Sequence, residues 1–381
     1  MEKVALLKCT GYEVDCIEKK LREGFELLGG NTFLRELIPV NSKVLLKPNF
    51  LSVVEKGSPI ITHYAVFEAV VRIVKEYTDN ISFGDSPGQE DTGRAAEKSG
   101  MMEVAHKYGV RFADFNESVR CELENPLMYK YWNIAKAAYQ ADVVITLPKL
   151  KTHAMMYYTG AVKNQFGCIP GSEKAEWHTK LPDASNFGKM LLDLNSVVKT
   201  SFAILDGIIA MEGNGPRNGT PKQMNTLIMG KSLTAVDSTA VSLIGYNNVL
   251  SIPYLKVAHE TGWGTVLPDE IQVLGEKVEN MKSQDFKLSR NARVINFLTP
   301  GLTNLVSSLT APDPVLVEDK CIGCRKCDEV CPERSKVISF VKRKGKTIPR
   351  WKYSNCIRCF CCQELCPKGA IVTRDKTLSR M

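Results

Sequence analysis

The sequence predicts an α/β domain with a mostly parallel sheet covered by helices, followed by a small cysteine-rich α+β region. Over the first three hundred residues, short apolar runs alternate with segments whose apolar residues recur at i, i+3 and i+4. This alternation is typical of parallel strands connected by helices. Nine of the thirteen cysteines lie between Cys321 and Cys366. The predicted domains therefore span residues 1–311 and 312–381.

Six apolar runs are predicted as buried strands: Val4–Cys9, Lys43–Lys47, Ile81–Phe83, Val110–Phe112, Val143–Leu147 and Phe202–Leu205. Helical spacing of apolar residues predicts five helices: Val14–Leu28, Ala65–Tyr77, Gly93–Tyr108, Phe187–Val198 and Thr234–Ile244. The segment 291–311, with Gly301 inside it and Pro312 after it, is predicted as a helix and linker into the second domain.

The sequence predicts a cytoplasmic protein without a membrane partner. It contains no run of eighteen or more apolar residues, so a membrane-spanning helix is not expected. The stretch from Met1 to Cys16 has charged residues where a signal peptide would need an apolar core. Clustered cysteines in a chain without an export signal favour metal binding over disulfides.

Two cysteine runs give the strongest functional signal in the sequence. Cys321–Cys331 has the spacing C-x2-C-x2-C-x3-C, Cys356–Cys366 repeats it, and a proline follows each run. In such runs three thiolates bind one [4Fe–4S] cluster and the fourth binds the other cluster. Zinc is the main alternative, because C-x2-C pairs also form tetrahedral sites. Two four-cysteine runs, each followed by proline, fit zinc poorly.

The predicted ligand sets are crossed between the two runs. One cluster is assigned to Cys321, Cys324, Cys327 and Cys366, and the other to Cys356, Cys359, Cys362 and Cys331. Cys361 is out of register with both runs and is predicted to pack beside a cluster.

This region resembles bacterial two-cluster ferredoxins, which implies a ferredoxin-like α+β fold and one-electron relay. Between the runs, Val337–Val341 and Trp351 predict a hairpin whose tip is the basic loop 342–346.

The basic charge of the chain belongs to its C-terminal region. Residues 313–381 contain sixteen Lys or Arg and eight Asp or Glu, a net charge of +8 that equals the net charge of the whole chain. Cationic surroundings offset the charge of thiolate clusters and steer an acidic redox protein such as a ferredoxin or flavodoxin. Nucleic acid is not a predicted partner, although a basic patch is compatible with it.

Polar residues follow several of the predicted strands. Ligands bind α/β sheets outside the carboxyl ends of the strands, so a ligand site is expected at this edge. The candidate residues are Lys47 and Asn49 after the second strand, Asp85 and Ser86 after the third, Lys149, Lys151 and His153 after the fifth, and Lys163, Asn164 and His178 further along. The sixth strand is followed by Asp206 and the polar stretch 212–217. The alternative is that these are ordinary turn residues, which every such loop needs.

His153 and Lys163 are the predicted catalytic residues, and the other candidates are predicted to bind a substrate or cofactor. A histidine can act as a general acid or base or as a metal ligand. For His153 and His178 the alternative is a hydrogen-bonded core residue. Lys163 lies in a glycine-flanked turn and suits a carboxylate or phosphate. Asp85 is the expected partner of Lys47, because an unpaired charge at an apolar strand end is costly.

The stretch from Asp142 to His178, taken with Lys47-Pro-Asn49 and Gly84-Asp85-Ser86, resembles the family of domains of unknown function numbered 362. Members with an appended ferredoxin module look alike from end to end. The resemblance therefore covers essentially the whole chain.

A remoter resemblance links the large domain to nickel-dependent lactate racemases. His153, Thr159–Lys163, Pro170-Gly171 and His178 are similar to the residues that line their site for a nickel-pincer nucleotide and a hydroxy acid. This sequence has Gly160-Ala161 where the racemases have paired glycines, and they lack a ferredoxin tail. Nickel is therefore not predicted.

The leading functional prediction is an iron-sulfur oxidoreductase. Its two [4Fe–4S] clusters would pass electrons to a small anionic substrate or second cofactor at the strand-end cleft. A further organic cofactor and a homodimer are left open, and no G-x-G-x-x-G follows the first strand. One alternative is a non-catalytic electron-transfer or assembly protein whose large domain docks a partner. The other is a non-redox enzyme with structural or sensory clusters.

Overall fold

The computed structural model describes residues 1–88, 90–171, 173–181, 183–289, 312–331, 333, 336–343 and 345–374. The predicted helix and linker over 291–311 lie outside the described residues.

The strands of the large domain are β1 Glu2–Lys8, β2 Val44–Pro48, β3 Ile81–Phe83, β4 Arg111–Phe112, β5 Ser118–Glu122, β6 Tyr131–Ala135, β7 Val143–Leu147, β8 Lys149–His153, β9 Tyr157–Thr159, β10 Phe202–Glu212, β11 Thr220–Gly230 and β12 Ile271–Gly275. Its α-helices are α1 Val14–Leu28, α2 Gly30–Leu37, α3 Tyr64–Val74, α4 Thr92–Lys98, α5 Met101–Tyr108, α6 Lys136–Gln140, α7 Ala161–Asn164, α8 Glu173–Lys180, α9 Ala184–Val198, α10 Leu233–Leu243, α11 Pro253–Thr261 and α12 Val278–Met281. Within the described ranges, no helix is both long and apolar enough to cross a bilayer.

Ten strands of the described chain form one sheet with the order β12-β1-β11-β10-β7-β2-β3-β4, and β8 and β9 pair beside β10. The pairs β1–β12, β10–β7, β10–β8, β2–β7, β2–β3 and β3–β4 are parallel. Only the pairs of β11 and the β8–β9 pair are antiparallel in this sheet as described. The predicted α/β class with a mostly parallel sheet is confirmed.

Helices cover both faces of the sheet because successive strand residues point to opposite sides. Leu45 on β2 packs with one apolar core and Leu46, its neighbour, packs with the other. One core lies under α1, α3 and α5, and the other lies under α7, α9, α10 and α11. The strands β2 and β7 are buried along their whole length, which explains their nearly continuous apolar sequences.

The predicted elements are largely present, with two kinds of difference. The helix expected over 93–108 is divided into α4 and α5, because Gly100 adopts a positive φ of 81° between them. The strands β8, β9, β11 and β12 and the hairpin β5–β6 were not predicted. Pro148 separates β8 from β7, so an apolar run ends there although the chain continues as strand.

The strand β10 is eleven residues long and extends beyond the central sheet. It pairs with β7 through Phe202 and Ala203, and further along with β8, where Asp206 lies opposite Lys149. Its loop to β11, residues 213–219, consequently projects from the carboxyl edge of the sheet.

The C-terminal domain contains two antiparallel strand pairs and two short helices. Its elements are β13 Asp313–Leu316, β14 Ile338–Arg343, β15 Lys346–Trp351, β16 Ile371–Arg374, α13 Lys326–Glu329 and α14 Cys361–Glu364. The strand β13 pairs with β16, and β14 pairs with β15. The predicted hairpin and the small ferredoxin-like α+β region are confirmed.

The loop 213–219 holds the C-terminal domain against the sheet edge. The guanidinium of Arg217 donates to the carbonyl oxygens of Cys366 at 2.9 Å and Glu364 at 3.3 Å. The amide of Asn218 donates to the Ile371 carbonyl at 2.9 Å. These contacts place α14 over the carboxyl ends of the strands.

Candidate functional site

A cavity of about 90 Å³ lies at the carboxyl edge of the sheet, between the large domain and α14. The loops after β2 and β3, the strand β8 and the segment 159–178 form its walls on one side. Cys361, Glu364 and Leu365 close it on the other. Eight of the ten predicted site residues line this cavity: Asn49, Asp85, Ser86, Lys151, His153, Lys163, Asn164 and His178.

Lys47 lies behind the cavity and forms the expected ion pair. Its Nζ is 2.7 Å from Asp85 Oδ1, and both side chains are buried. The other carboxylate oxygen of Asp85 accepts from the Phe50 N–H at 2.7 Å. A Cβ on Gly167 would lie 1.8 Å from Asp85 Oδ1, so only glycine fits there. Asp85 therefore faces the cavity with its charge already matched.

Lys149 was predicted as a binding residue, but the structure places its ammonium away from the cavity. Its Nζ is 2.7 Å from Asp206 Oδ2 and donates to the Tyr12 hydroxyl at 2.8 Å. Tyr12 donates in turn to Asp206 Oδ1 at 2.8 Å, and its ring stacks on His63 at 3.6 Å. The physical reason is the register of β8 on β10, which sets Asp206 directly opposite Lys149.

Two asparagines position Lys151 inside the cavity wall. The Asn164 amide donates to Thr146 Oγ1 at 2.8 Å, and its oxygen accepts from the Asn49 amide at 3.1 Å. Lys151 Nζ donates to Asn49 Oδ1 at 3.0 Å and to the Ile60 carbonyl at 2.9 Å. Both partners of Lys151 are neutral, so its positive charge is oriented but not compensated.

Three lysines surround the cavity without a carboxylate partner among the described residues: Lys151, Lys163 and Lys174. Burial lowers the pKa of Lys151 and of Lys174 to about 7, and it also lowers the pKa of Lys163. Lys163 Nζ forms no hydrogen bond within the described part of the chain and lies 5.4 Å from the Phe166 ring centroid. Lys174 donates to the Ser86 carbonyl. Lys174 was not predicted, because nothing in the sequence distinguishes it from a surface lysine of α8.

His153 is fixed by backbone amides and faces a carboxylate of the other domain. Its Nδ1 accepts from the N–H groups of Met155 at 3.1 Å and Met156 at 3.2 Å. The neutral ring therefore has its proton on Nε2, which lies 2.7 Å from Glu364 Oε1. Glu364 Oε2 is 3.8 Å from His178 Nε2. Burial lowers the pKa of both histidines to about 4, so they are neutral at pH 7.

Glu364 is the one carboxylate that the C-terminal domain contributes to the cavity wall as described. Burial alone would raise its pKa, but His153, His178 and Lys163 together lower the pKa of this carboxyl well below its usual range. The sequence did not single out this residue, because Glu329 has the equivalent position in the first cysteine run and is an exposed partner of Lys326.

Three polar atoms at this wall lack a hydrogen bond of regular geometry within the described residues: His153 Nε2, His178 Nδ1 and Glu364 Oε1. All three are buried, and buried polar atoms in folded proteins are normally satisfied. His153 Nε2 and Glu364 Oε1 face each other at 2.7 Å. The ammonium of Lys163 and His178 Nδ1 are therefore the polar groups of the wall that have no hydrogen-bond partner among the described residues.

The cysteines of each predicted cluster set line a common cavity in the C-terminal domain. Cys321, Cys324, Cys327 and Cys366 line one of these cavities, and Cys331, Cys356, Cys359 and Cys362 line the other. The two runs also bend alike. Positive φ angles occur at Gly323 and Arg325 in the first run and at Arg358 and Phe360, the equivalent positions of the second. This donor set and the repeated turn fit two [4Fe–4S] clusters.

Cys361 lies between the second of these cysteine-lined cavities and the cavity at the sheet edge, here called the ligand cavity. Its side chain packs with Val330 and Cys359, and it lines the ligand cavity beside Glu364. It is 1% exposed. The position is compatible with the packing role predicted for it.

Comparison with known proteins supports both parts of this description. Residues 320–370 match the family of 4Fe-4S dicluster domains. Over 245 residues the chain is 34% identical to the thylakoid-associated protein sll1697 of Synechocystis sp., an alignment that covers 64% of this chain and 75% of that protein.

The lactate racemase apoprotein from Thermoanaerobacterium thermosaccharolyticum superposes with a TM-score of 0.38 at 13% identity. The match covers 56% of this chain and 51% of the racemase, so the chain spans about half of that protein. Residues 44–242 match the family described as Domain of unknown function (DUF362). The chain therefore belongs to the DUF362 family and has a 4Fe-4S dicluster domain at its C-terminal end.

Proposed function

We propose that the protein is an iron-sulfur oxidoreductase that transfers electrons to a small anionic substrate or second cofactor in the cavity between its two domains. One observation supports this most directly. The helix α14 contains Cys362, a predicted cluster ligand, and also supplies Cys361 and Glu364 to the cavity wall. Glu364 is 2.7 Å from His153 of the large domain. The electron-transfer module and the ligand site therefore share one wall.

Each group has a defined part in this proposal. The eight cysteines in their crossed sets hold two [4Fe–4S] clusters, which supply single electrons when bound. Lys163 attracts and orients the anionic ligand, and Lys151 on β8 does so as well. His153 presents its Nε2 proton beside Glu364 at the same end of the cavity. Burial of these groups excludes bulk water and strengthens their electrostatic interactions with a ligand.

The basic hairpin β14–β15 favours an acidic redox protein, such as a ferredoxin or flavodoxin, as the electron donor. Lys342 and Lys346 are exposed, whereas Arg343 is held by Glu318 at 2.6 Å. A cluster-lined cavity lies under this hairpin, with Phe340 and Thr347 in its wall. A donor attracted to the hairpin would therefore approach the first cluster site.

A second candidate function is a non-catalytic electron-transfer or assembly protein whose large domain docks a partner. A surface groove of about 480 Å³ favours it. Tyr131, Trp132 and Trp177 line this groove, and the rings of the two tryptophans stack at 5.0 Å. Of these three residues Tyr131 is exposed and Trp177 is partly exposed. Aromatic residues are enriched where proteins bind partners.

Reoxidation of the reduced clusters tests the oxidoreductase proposal. The protein is purified and reduced without oxygen, and cluster absorbance is followed after addition of small carbonyl compounds that contain a carboxylate or phosphate. We expect saturable reoxidation by at least one compound. Lys163→Gln should slow it at least tenfold, because the anion loses its counter-charge.

Lys256→Gln is the matched control, since Lys256 is a surface residue of α11 remote from the cavity. Equal rates for Lys163→Gln and wild type with every compound, combined with normal reduction by a ferredoxin, would favour the second candidate instead.

A further inference from the structure

The charges around the cavity do not balance. Lys151, Lys163 and Lys174 have no carboxylate partner in the described chain, and the charge of Asp85 is matched by Lys47. Glu364 is the remaining carboxylate of the wall, and the two histidines beside it are neutral at pH 7. With all three lysines protonated, the described wall has a net charge of about +2. An uncompensated buried charge is unfavourable, so a ligand that supplies the missing charge would be strongly attracted.

The lysines also have unused hydrogen-bonding capacity. An ammonium group has three N–H donors. Lys151 uses two of them, for Asn49 Oδ1 and the Ile60 carbonyl, and Lys174 uses one, for the Ser86 carbonyl. Lys163 uses none within the described residues. Six donors thus remain, which matches a ligand with several oxygen acceptors better than a ligand with one or two.

The size of the cavity limits the ligand. A volume of about 90 Å³ is roughly six times the space that one water molecule requires. A ligand on the order of six to eight non-hydrogen atoms fits.

We propose that the cavity binds a small ligand with two negative charges on oxygen, either a dicarboxylate or a phosphate monoester. The proposal rests on the oxidoreductase function for the role of this ligand, and it defines the class of substrate. Lys163 and Lys174 approach from different elements, the α7 turn and the α8 helix, so each can neutralise a separate oxygen group. Lys151 lies in the cavity wall beside Asn49 and supplies a further donor.

A competing explanation is that these lysines offset the negative charge of the clusters. Cys361 and Glu364 lie between Lys163 and the cluster-lined cavities, and each contributes to the electrostatics of Lys163. In that case the substitution of Lys163 would shift the reduction potential of a cluster and would leave anion binding unaffected.

Calorimetric titration of the full-length, cluster-loaded protein tests the inference under anaerobic conditions, in chloride buffer at constant ionic strength. The dicarboxylate probes are malonate and succinate, and the phosphate probes are inorganic phosphate and methyl phosphate. Acetate and propionate are the singly charged controls. We expect one class of dianion to bind at least tenfold more tightly than the controls, and the preferred class identifies the ligand.

Lys163→Gln should weaken this binding at least tenfold, and Lys256→Gln should leave it unchanged. Lys174→Gln, on helix α8, gives an independent measurement if Lys163→Gln does not fold. Equal binding of acetate and malonate, or unchanged dianion binding in both lysine variants, would overturn the inference. The inference would also be overturned if Lys163→Gln shifted the reduction potential of a cluster and no dianion bound.

The titration uses no electron donor, so its outcome is independent of turnover. Tight dianion binding without reoxidation by any acceptor would refute the oxidoreductase proposal alone. Reoxidation of the clusters by added compounds, with no preference for dianionic ones, would refute the dianion inference alone.

Discussion

Lys149 and Lys151 are separated by one residue on the same strand, and both side chains are completely buried. Their charge partners nevertheless differ. Lys149 is 2.7 Å from the carboxylate of Asp206 and is hydrogen-bonded to Tyr12. Lys151 reaches only neutral oxygens, at Asn49 and Ile60. The difference arises on β10, which sets Asp206 opposite Lys149 and Met211 opposite Lys151.

This contrast separates a compensated buried charge from an uncompensated one. A buried lysine with a buried carboxylate partner is electrostatically complete, and its removal leaves the partner uncompensated. A buried lysine with neutral partners is held in place but lacks a counter-charge. Lys163 is the extreme case, because it has no polar partner among the described residues.

The largest expected change in stability follows from this contrast. Lys149→Met should lower the free energy of unfolding by about 3–5 kcal/mol, because the Asp206 carboxylate would remain buried without its ammonium. Lys151→Met is the matched control on the same strand. It should cost about 1–2 kcal/mol, since only neutral acceptors lose a partner. Denaturant unfolding of the full chain measures both.

A double-mutant cycle sharpens the comparison. The combination of Lys149→Met with Asp206→Asn should cost clearly less than the sum of the two single substitutions, because no charge is left unpaired. Equal costs for Lys149→Met and Lys151→Met would contradict the distinction between the two lysines.

Two neighbouring cysteines extend the same comparison to metal binding. Cys362 lines the second cluster cavity and Cys361 lines the ligand cavity. Cys362→Ser should therefore remove one cluster, lowering the iron content from about eight to about four per chain. Cys361→Ser should retain about eight, because its thiol is outside both ligand sets. Iron and sulfide assays on anaerobically purified protein measure the cluster content of both variants. Iron loss in Cys361→Ser would contradict the assignment of the cluster ligands.

A smaller effect concerns pH. Burial lowers the pKa of Lys174 from 10.5 in the unfolded chain to about 7, with Lys47 and Lys163 adding to the decrease and Asp85 and Cys168 opposing it. Between these values the unfolded chain holds a proton that the folded chain has released. The free energy of unfolding should thus rise with pH above 7, by at most about 1.4 kcal/mol per pH unit from this group.

Lys174→Met lacks this contribution, so the stability difference between wild type and variant should change with pH between 7 and 10. A bound dianion should remove the slope, because the lysine then keeps its proton. Parallel curves for the two proteins without a ligand would show that Lys174 is not perturbed by burial in the folded state.

The sequence predicted the framework of this molecule well where local patterns decide the structure. The helix α1 begins and ends at the predicted residues, Val14 and Leu28, because its apolar spacing is regular. The cysteine spacing likewise anticipated which thiols share a cavity. The strand-end rule brought eight candidates to one cavity, since parallel strands place their carboxyl ends together.

What could not be predicted depends on contacts between distant parts of the chain. The position of Lys149 depends on its register with Asp206, fifty-seven residues away, and no local pattern gives that register. Lys174 reaches the cavity only because α8 folds back over the loop after β3. Glu364 enters the site from the other domain, through a docking surface formed by Arg217 and Asn218.

The closure of the cavity by α14 has a consequence for how the protein is made and how it fails. Residues 361–365 follow the large domain in the sequence, so the side of the cavity that the large domain forms is synthesised before the side that closes it. During that interval the site is open to solvent. Oxidative loss of the clusters should reopen it, because the helix that closes the cavity lies between the thiolates of both sites. Oxygen damage would then release the ligand in the same event that removes the electron supply.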